Sequence, residues 1–233
     1  MSTGTNAVTV SVENRIAVVT VDDGRANALS AEVIDGLGQS LDRVEQEDIA
    51  AVVMAGRAGR FCAGFDLTVM RSGARERRVL VEKGAHLFLR MAEFPRPTVI
   101  ACGGHALAAG AVWLTSADWR IGADVDAKIG LNEVAIGLAL PIFALELARE
   151  RLSKRHFLAA TSQARIYTAR DAVDAGYLDE VVPAGGLLAA ATAKAVELGA
   201  LSSAAFALTK RSAMRATIRH IRDTLEEDMD RVG

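Results

Sequence analysis

Glu133 is a lone carboxylate in an apolar run, Ile129-Gly130-Leu131-Asn132-Glu133-Val134-Ala135-Ile136-Gly137-Leu138. A carboxyl buried among such neighbours loses hydration in its charged form, so its pKa rises toward the range useful to a general base. The alternative for the same residues is an exposed loop glutamate or a helix-end partner. Two other stretches offer backbone chemistry. Arg60-Phe61-Cys62-Ala63-Gly64-Phe65-Asp66-Leu67 and Gly103-Gly104-His105-Ala106-Leu107-Ala108-Ala109-Gly110-Ala111 are small-residue loops that follow buried strands, where the strand ends of α/β sheets place ligands. The second opens a helix, whose first amides are unpaired donors of partial positive charge. Amides converging from two such loops would stabilise an enolate or a tetrahedral oxyanion. Close packing of strand on helix is the alternative use of the same glycines. His105 is the other candidate acid/base, but no nucleophile with an orienting third group accompanies it, and His86, His156 and His220 read as ordinary helix residues. Asp66 is placed to cap or brace its loop.

The positioning elements follow from periodicity. Val8–Val12 and Ile16–Val21, parted by Glu13-Asn14-Arg15, read as a hairpin. Ser30 is an N-cap for a helix to about Gln46, with Val33, Ile34, Leu37, Leu41 and Val44 at helical spacing. Buried strands are expected at Ala50–Met54, Thr98–Cys102 and Trp119–Ala123, with an extended piece at Lys128–Leu131. Gly56–Gly64 reads as a glycine-rich loop and Gly103-Gly104-His105 as a turn. Helices are expected at Val79–Glu93, ending before Pro95 and Pro97, and at Ala108–Ala117. Beyond Pro141 the chain reads as helical (Pro141–Leu152, Lys154–Ala160, Ala169–Ala175, Gly186–Leu198, Ser203 to about Met229), interrupted by a strand at Leu178–Val182. Strand, helix and strand in alternation point to parallel βαβ layers.

The chain of 233 residues is 51% hydrophobic and 24% charged with a net charge of −2. Ample apolar surface argues for a compact fold, and mixed charge argues against nucleic acid as a partner. The polar start Met1–Ala7 has no signal-peptide pattern and no apolar run is long enough for a membrane span, which gives the expectation of a cytoplasmic protein. Cys62 and Cys102 form neither a disulfide framework nor a thiolate metal site, and the sequence implies no metal, nicotinamide or flavin cofactor.

Taken together, Arg25-Ala26-Asn27-Ala28-Leu29, Phe61–Leu67, His105–Gly110, the Glu133 segment and Ala172-x-x-Ala175-Gly176-Tyr177-Leu178-Asp179-x-Val181-Val182-Pro183 resemble the crotonase (enoyl-CoA hydratase/isomerase) superfamily over nearly the whole chain. The resemblance implies an α/β spiral of ββα units over residues 1–183. It also implies a C-terminal helical region, 184–233, that is no independent domain and builds homotrimers or dimers of trimers. It makes an acyl-CoA thioester the substrate, coenzyme A entering as part of it. It assigns the oxyanion amides to Phe65 and Ala109 and the proton shuttle to Glu133. Arg25, Ala26, Ala63, Asp66, Leu67, Gly110 and Val112 become candidates for contact with the CoA ester, Arg25 having a solvated surface charge as its alternative. Trp113, Leu140 and Phe143 become candidates for the acyl pocket, with core packing as theirs.

The chain departs from the family at Val112, where hydratases carry a first glutamate. Adding water needs an oriented nucleophile and a proton donor, which valine cannot supply. A 1,3-proton shift needs one base, and the Asn132-Glu133 wording is similar to the Δ3,Δ2-enoyl-CoA isomerase branch. A hydratase in which Glu133 works with another group, and a non-catalytic acyl-CoA binder, are the rival expectations.

Overall fold

The computed structural model describes residues 7–232, so most of the polar N-terminal stretch lies outside the described residues. Strands β1 (Val8–Glu13) and β2 (Ile16–Val21) form the antiparallel hairpin, its turn closed by Asn14 and Arg15 at φ 50° and 65°. Positive φ at both turn residues matches the turn's twist to that of the strands. Next come α1 (Ala31–Gln46), β3 (Ala51–Gly56), β4 (Gly59–Cys62), α2 (Leu67–Ser72), α3 (Ala74–Glu93), β5 (Thr98–Cys102), β6 (Gly104–Leu107) and α4 (Ala109–Ser116). The chain continues through β7 (Trp119–Ala123), β8 (Ile129–Gly130), α5 (Ile142–Arg151), α6 (Phe157–Ala160), α7 (Ala169–Ala175), β9 (Glu180–Val182), α8 (Leu187–Gly199) and α9 (Ser203–Val232).

Successive strands go to different sheets. One sheet has the order β1-β2-β3-β5-β7-β9, parallel from β2 onward, and the other the order β4-β6-β8, also parallel. This is a spiral of ββα turns rather than plain βαβ layers. The difference arises at β4 and β6, which sequence periodicity assigns to a loop and a turn. Each is only four residues long and glycine-led, so propensity is silent. Pairing makes them strands: a Cβ on Gly104 would lie 2.2 Å from the Gly59 carbonyl, so the backbones approach as only glycine allows.

The large sheet is covered on both faces, which explains its unbroken apolar runs. In β3, Val52 and Met54 join the main core under α1 and α3, while Ala51, Val53 and Ala55 face Ala191 and Ala195 of α8. In β5, Ile100 and Cys102 go one way and Val99 and Ala101 the other. Alanines let α8 lie close on that second face.

α3 starts five residues before the apolar spacing predicts. Its first turn is tied to the distant α9: Arg78 pairs with Asp230 at 2.5 Å and Glu226 at 2.7 Å, and Arg77 Nε donates to the Val232 carbonyl at 2.6 Å. α2 escapes the sequence reading because none of its residues is fully buried. The helix expected over Lys154–Ala160 contracts to α6. A buried ionic hub joins α9 to the starts of β5 and β7, where Lys210 Nζ donates to Asp118 Oδ2 at 2.8 Å and to the Met91 carbonyl at 3.1 Å. The same Asp118 oxygen accepts from the Thr98 amide and hydroxyl, both at 2.9 Å.

Candidate active site

Three loops meet at one end of the spiral. The turn after β2 is organised by Asp23, whose carboxylate accepts from the amides of Arg25, Asn27 and Ala28. Burial pushes the Asp23 carboxyl up, but those amides and the Arg57 guanidinium outweigh it and hold the group below its usual value. Asn27, wholly buried at φ 53°, donates Nδ2 to the Val21 carbonyl at 2.8 Å and accepts from the Asp23 amide at 3.1 Å. Both braces escape the sequence reading. The Asp-x-x-x-Asn spacing is the available signal, since both side chains hydrogen-bond readily to nearby turn backbone.

The braced turn docks on the first small-residue loop. The Ala63 amide donates to the Ala26 carbonyl at 3.2 Å, the Leu29 amide to Gly64 at 2.8 Å and the Asp66 amide to Leu29 at 3.2 Å. This ladder leaves the intervening Phe65 N–H facing the other way. Asp66 caps α2 by accepting from Thr68 N at 2.8 Å. The Arg25, Ala63 and Leu67 side chains are exposed, and the Arg25 carbonyl accepts from Arg57.

The second small-residue loop lies directly beneath the first. A Cβ on Gly64 would sit 3.0 Å from the Ala108 Cβ and 3.5 Å from the Ala109 nitrogen, which brings the loops carrying Phe65 and Ala109 into contact. Among the described residues, neither the Phe65 nor the Ala109 amide has a hydrogen-bond acceptor. Ala108 turns the chain into α4 at φ 50°, ψ −124°, a conformation that an L side chain rarely adopts. Gly110 is buried with its α-carbon against the Cys62 carbonyl, where a Cβ would approach to 2.3 Å, so its glycine serves the contact of α4 with β4. His105 accepts through Nδ1 from the Lys128 amide at 2.9 Å and so bridges toward β8.

Phe65, Ala109, Val112 and Glu133 line one cavity of about 250 Å³, walled further by Met70, Val81, Leu138, Leu140, Phe143 and Ala144. Trp113 faces away, fully buried against Phe61 with ring centroids 4.8 Å apart. Glu133 begins a single 3₁₀ turn, its carbonyl accepting from Ile136 and Leu138. Its carboxylate Oε2 is buried with no partner among the described residues. Burial pushes this carboxyl up to about 7, with its own backbone amide opposing weakly. Asp228 also lines the cavity, but both its oxygens are engaged, by Ile142 N at 2.7 Å and Phe143 N at 3.0 Å. Asp228 has no sequence signal as a pocket residue, because α9 reaches the site only by folding back.

A six-stranded and a three-stranded sheet wound as ββα turns, with a pair of unengaged amides and a desolvated glutamate in a shared cavity, are the features of the crotonase superfamily. The enoyl-CoA hydratase/isomerase family profile matches residues 11–231, and the chain belongs to that family of acyl-CoA enzymes. A putative enoyl-CoA hydratase of Thermus thermophilus is 34% identical over 211 residues, 86% of this chain and 81% of that protein. A probable enoyl-CoA hydratase of Bacillus subtilis is 34% identical over 142 residues, 60% of this chain and 54% of its own length. Among solved structures, an enoyl-CoA hydratase/isomerase family protein of Pseudomonas syringae superimposes with a TM-score of 0.95 at 36% identity, covering 98% of this chain and 99% of the other. Human mitochondrial Δ3,Δ2-enoyl-CoA isomerase gives a TM-score of 0.93 at 25% identity, with 97% and 90% covered.

Proposed function

We propose that the chain is a Δ3,Δ2-enoyl-CoA isomerase. The carrying observation is Val112 beside Glu133: the cavity offers one carboxyl with an unengaged oxygen and an apolar wall where a second acid would stand. The thioester carbonyl accepts from the Phe65 and Ala109 amides. Glu133 takes a proton from C2, charge spreads onto the thioester oxygen as an enolate, and the same carboxyl returns the proton at C4 as the double bond moves to C2–C3. The shift is redox-neutral and needs one base on one face. A carboxyl near 7 fits, since it must both hold and release the proton in each turnover.

Purified protein supplied with a 3-enoyl-CoA is expected to form the 2-enoyl ester, and Glu133→Gln is expected to lower kcat by about 10³-fold. The base must start ionised, so kcat/KM should rise with pH and level off above about 7. The second reading, a hydratase, is favoured by the names of the Thermus and Bacillus relatives. Formation of 3-hydroxyacyl-CoA from a 2-enoyl ester, without isomerisation of the 3-enoyl one, would establish it in place of the first. Binding of both esters with turnover of neither would leave an acyl-CoA binder.

The same proposal includes self-association into trimers or paired trimers. It is supported by Leu188 and Val196 on α8, Leu201 between the helices, and Leu208 on α9, each at least 50% exposed. Light scattering coupled to size exclusion is expected to give a mass of three or six chains.

A further inference from the structure

We infer that the last turn of α9 forms the end wall of the acyl pocket and limits this chain to acyl-CoA esters of roughly eight carbons or fewer, an inference that rests on the acyl-CoA reading of the site. The pocket runs along α3. Phe65, which carries one of the unengaged amides, lays its ring on Gly84, where a Cβ would come within 2.4 Å of it. The α3 residues on the pocket wall, Val81 and Arg77, lie three and seven positions before Gly84. That spacing puts them on the same face, one and two turns nearer the helix start, so the Arg77 level is about 10 Å from Phe65.

At that level the wall changes character. Val81, Phe143 and Leu140 give way to Arg77, Asp228, Arg231 and Val232. These are fastened groups. Asp228, wholly buried, holds the first two amides of α5, and Arg77 holds the Val232 carbonyl. Arg231, 60% exposed, pairs with Glu227 on the helix surface, where the wall meets solvent, and the fastening rests on Asp228 and Arg77. An extended chain advances about 3.4 Å per three bonds, so about 10 Å accommodates roughly eight or nine carbons. Each methylene up to the wall gains about fourfold in affinity from apolar burial. A longer tail must break the Asp228 bonds or press methylenes against paired charges, and the gain reverses.

Calorimetric binding of saturated acyl-CoA esters from four to fourteen carbons to the full chain tests this without requiring turnover. Affinity should climb to about eight carbons, and the twelve-carbon ester should bind about tenfold more weakly than the eight-carbon one. Asp228→Ala should narrow that gap to about threefold by unfastening the wall, and Val81→Phe, filling the pocket one turn short of it, should move the optimum to about four carbons. Affinity climbing through twelve carbons in the wild type, or an optimum left at eight in a Val81→Phe protein that melts cooperatively, overturns the inference. So does failure of every ester to bind. A ceiling at eight carbons with no isomerisation of any enoyl ester would refute the isomerase proposal and leave this one standing, whereas isomerisation without a ceiling would do the reverse.

Discussion

Glu133, the proposed proton shuttle, illustrates how a buried carboxyl weakens the fold that holds it. Its carboxyl, ordinarily near 4.5, is raised by burial to about 7. The folded state therefore binds the proton more tightly than the unfolded state does. The associated stability is fully present below about 4.5 and is lost as pH rises through about 7. Above that range the buried, ionised carboxylate costs up to about 3 kcal/mol. Glu133→Gln removes the ionisation and should be more stable than the wild type at pH 8 by about 1–3 kcal/mol, with the two converging below pH 5. Urea unfolding at the two pH values checks this, and a difference that does not depend on pH would sink the burial argument. The same substitution should lower the proposed isomerase turnover by about 10³-fold, so activity and stability would move in opposite directions at one side chain.

At the scale of elements, the turn into α4 is the place where local preference and tertiary demand conflict. Ala108 holds φ 50°, ψ −124° because the chain must leave β6 and present the Ala109 amide at once to the cavity. For a residue with a Cβ this conformation costs on the order of 1–3 kcal/mol. Ala108→Gly removes that strain, partly offset by the greater freedom of glycine in the unfolded chain, and is expected to stabilise the protein by about 1 kcal/mol. A denaturation midpoint that falls in the glycine variant would show that the alanine methyl, 3.0 Å from where a Gly64 Cβ would lie, contributes more by packing than the strain costs.

Across the whole molecule, α9 ties the site to the rest of the fold. Near its start, Lys210 enters the ionic hub at Asp118, and its last turns reach α3, α5 and the cavity that holds Glu133. Burial lowers the Lys210 pKa, and the Asp118 carboxylate, 2.8 Å away, opposes that shift. Lys210→Met should cost about 3 kcal/mol, because it leaves a buried carboxylate short of its cation. It should also weaken acyl-ester binding if α9 loosens as a unit. Thermal unfolding together with calorimetry reads both effects, and an unchanged melting temperature would mean that Arg151, 3.9 Å from Asp118, suffices alone.

Much of this molecule was legible along the chain because the relevant forces are local. Alternation and helical spacing located β1, β2, β3, β5, β7, α1, α4 and α7, of which all but the largely exposed β1 bury a repeated apolar pattern. The ordered motifs around Asn27, Gly64, Gly110 and Glu133 carried the family, and Val112 carried the proposal of isomerisation over hydration. Tertiary structure alone decided the rest. The strands β4 and β6 exist because glycine backbones pair across a gap no side chain fits, which no propensity records. The Phe65 and Ala109 amides are available because their neighbours' hydrogen bonds are used elsewhere, a property of the assembled ladder and not of either residue. Asp228 and Val232 line the cavity from about 95–100 positions beyond Glu133. Their place depends on where a 30-residue helix ends in space, which follows from packing against α3 and α5 and leaves no periodic trace in the sequence.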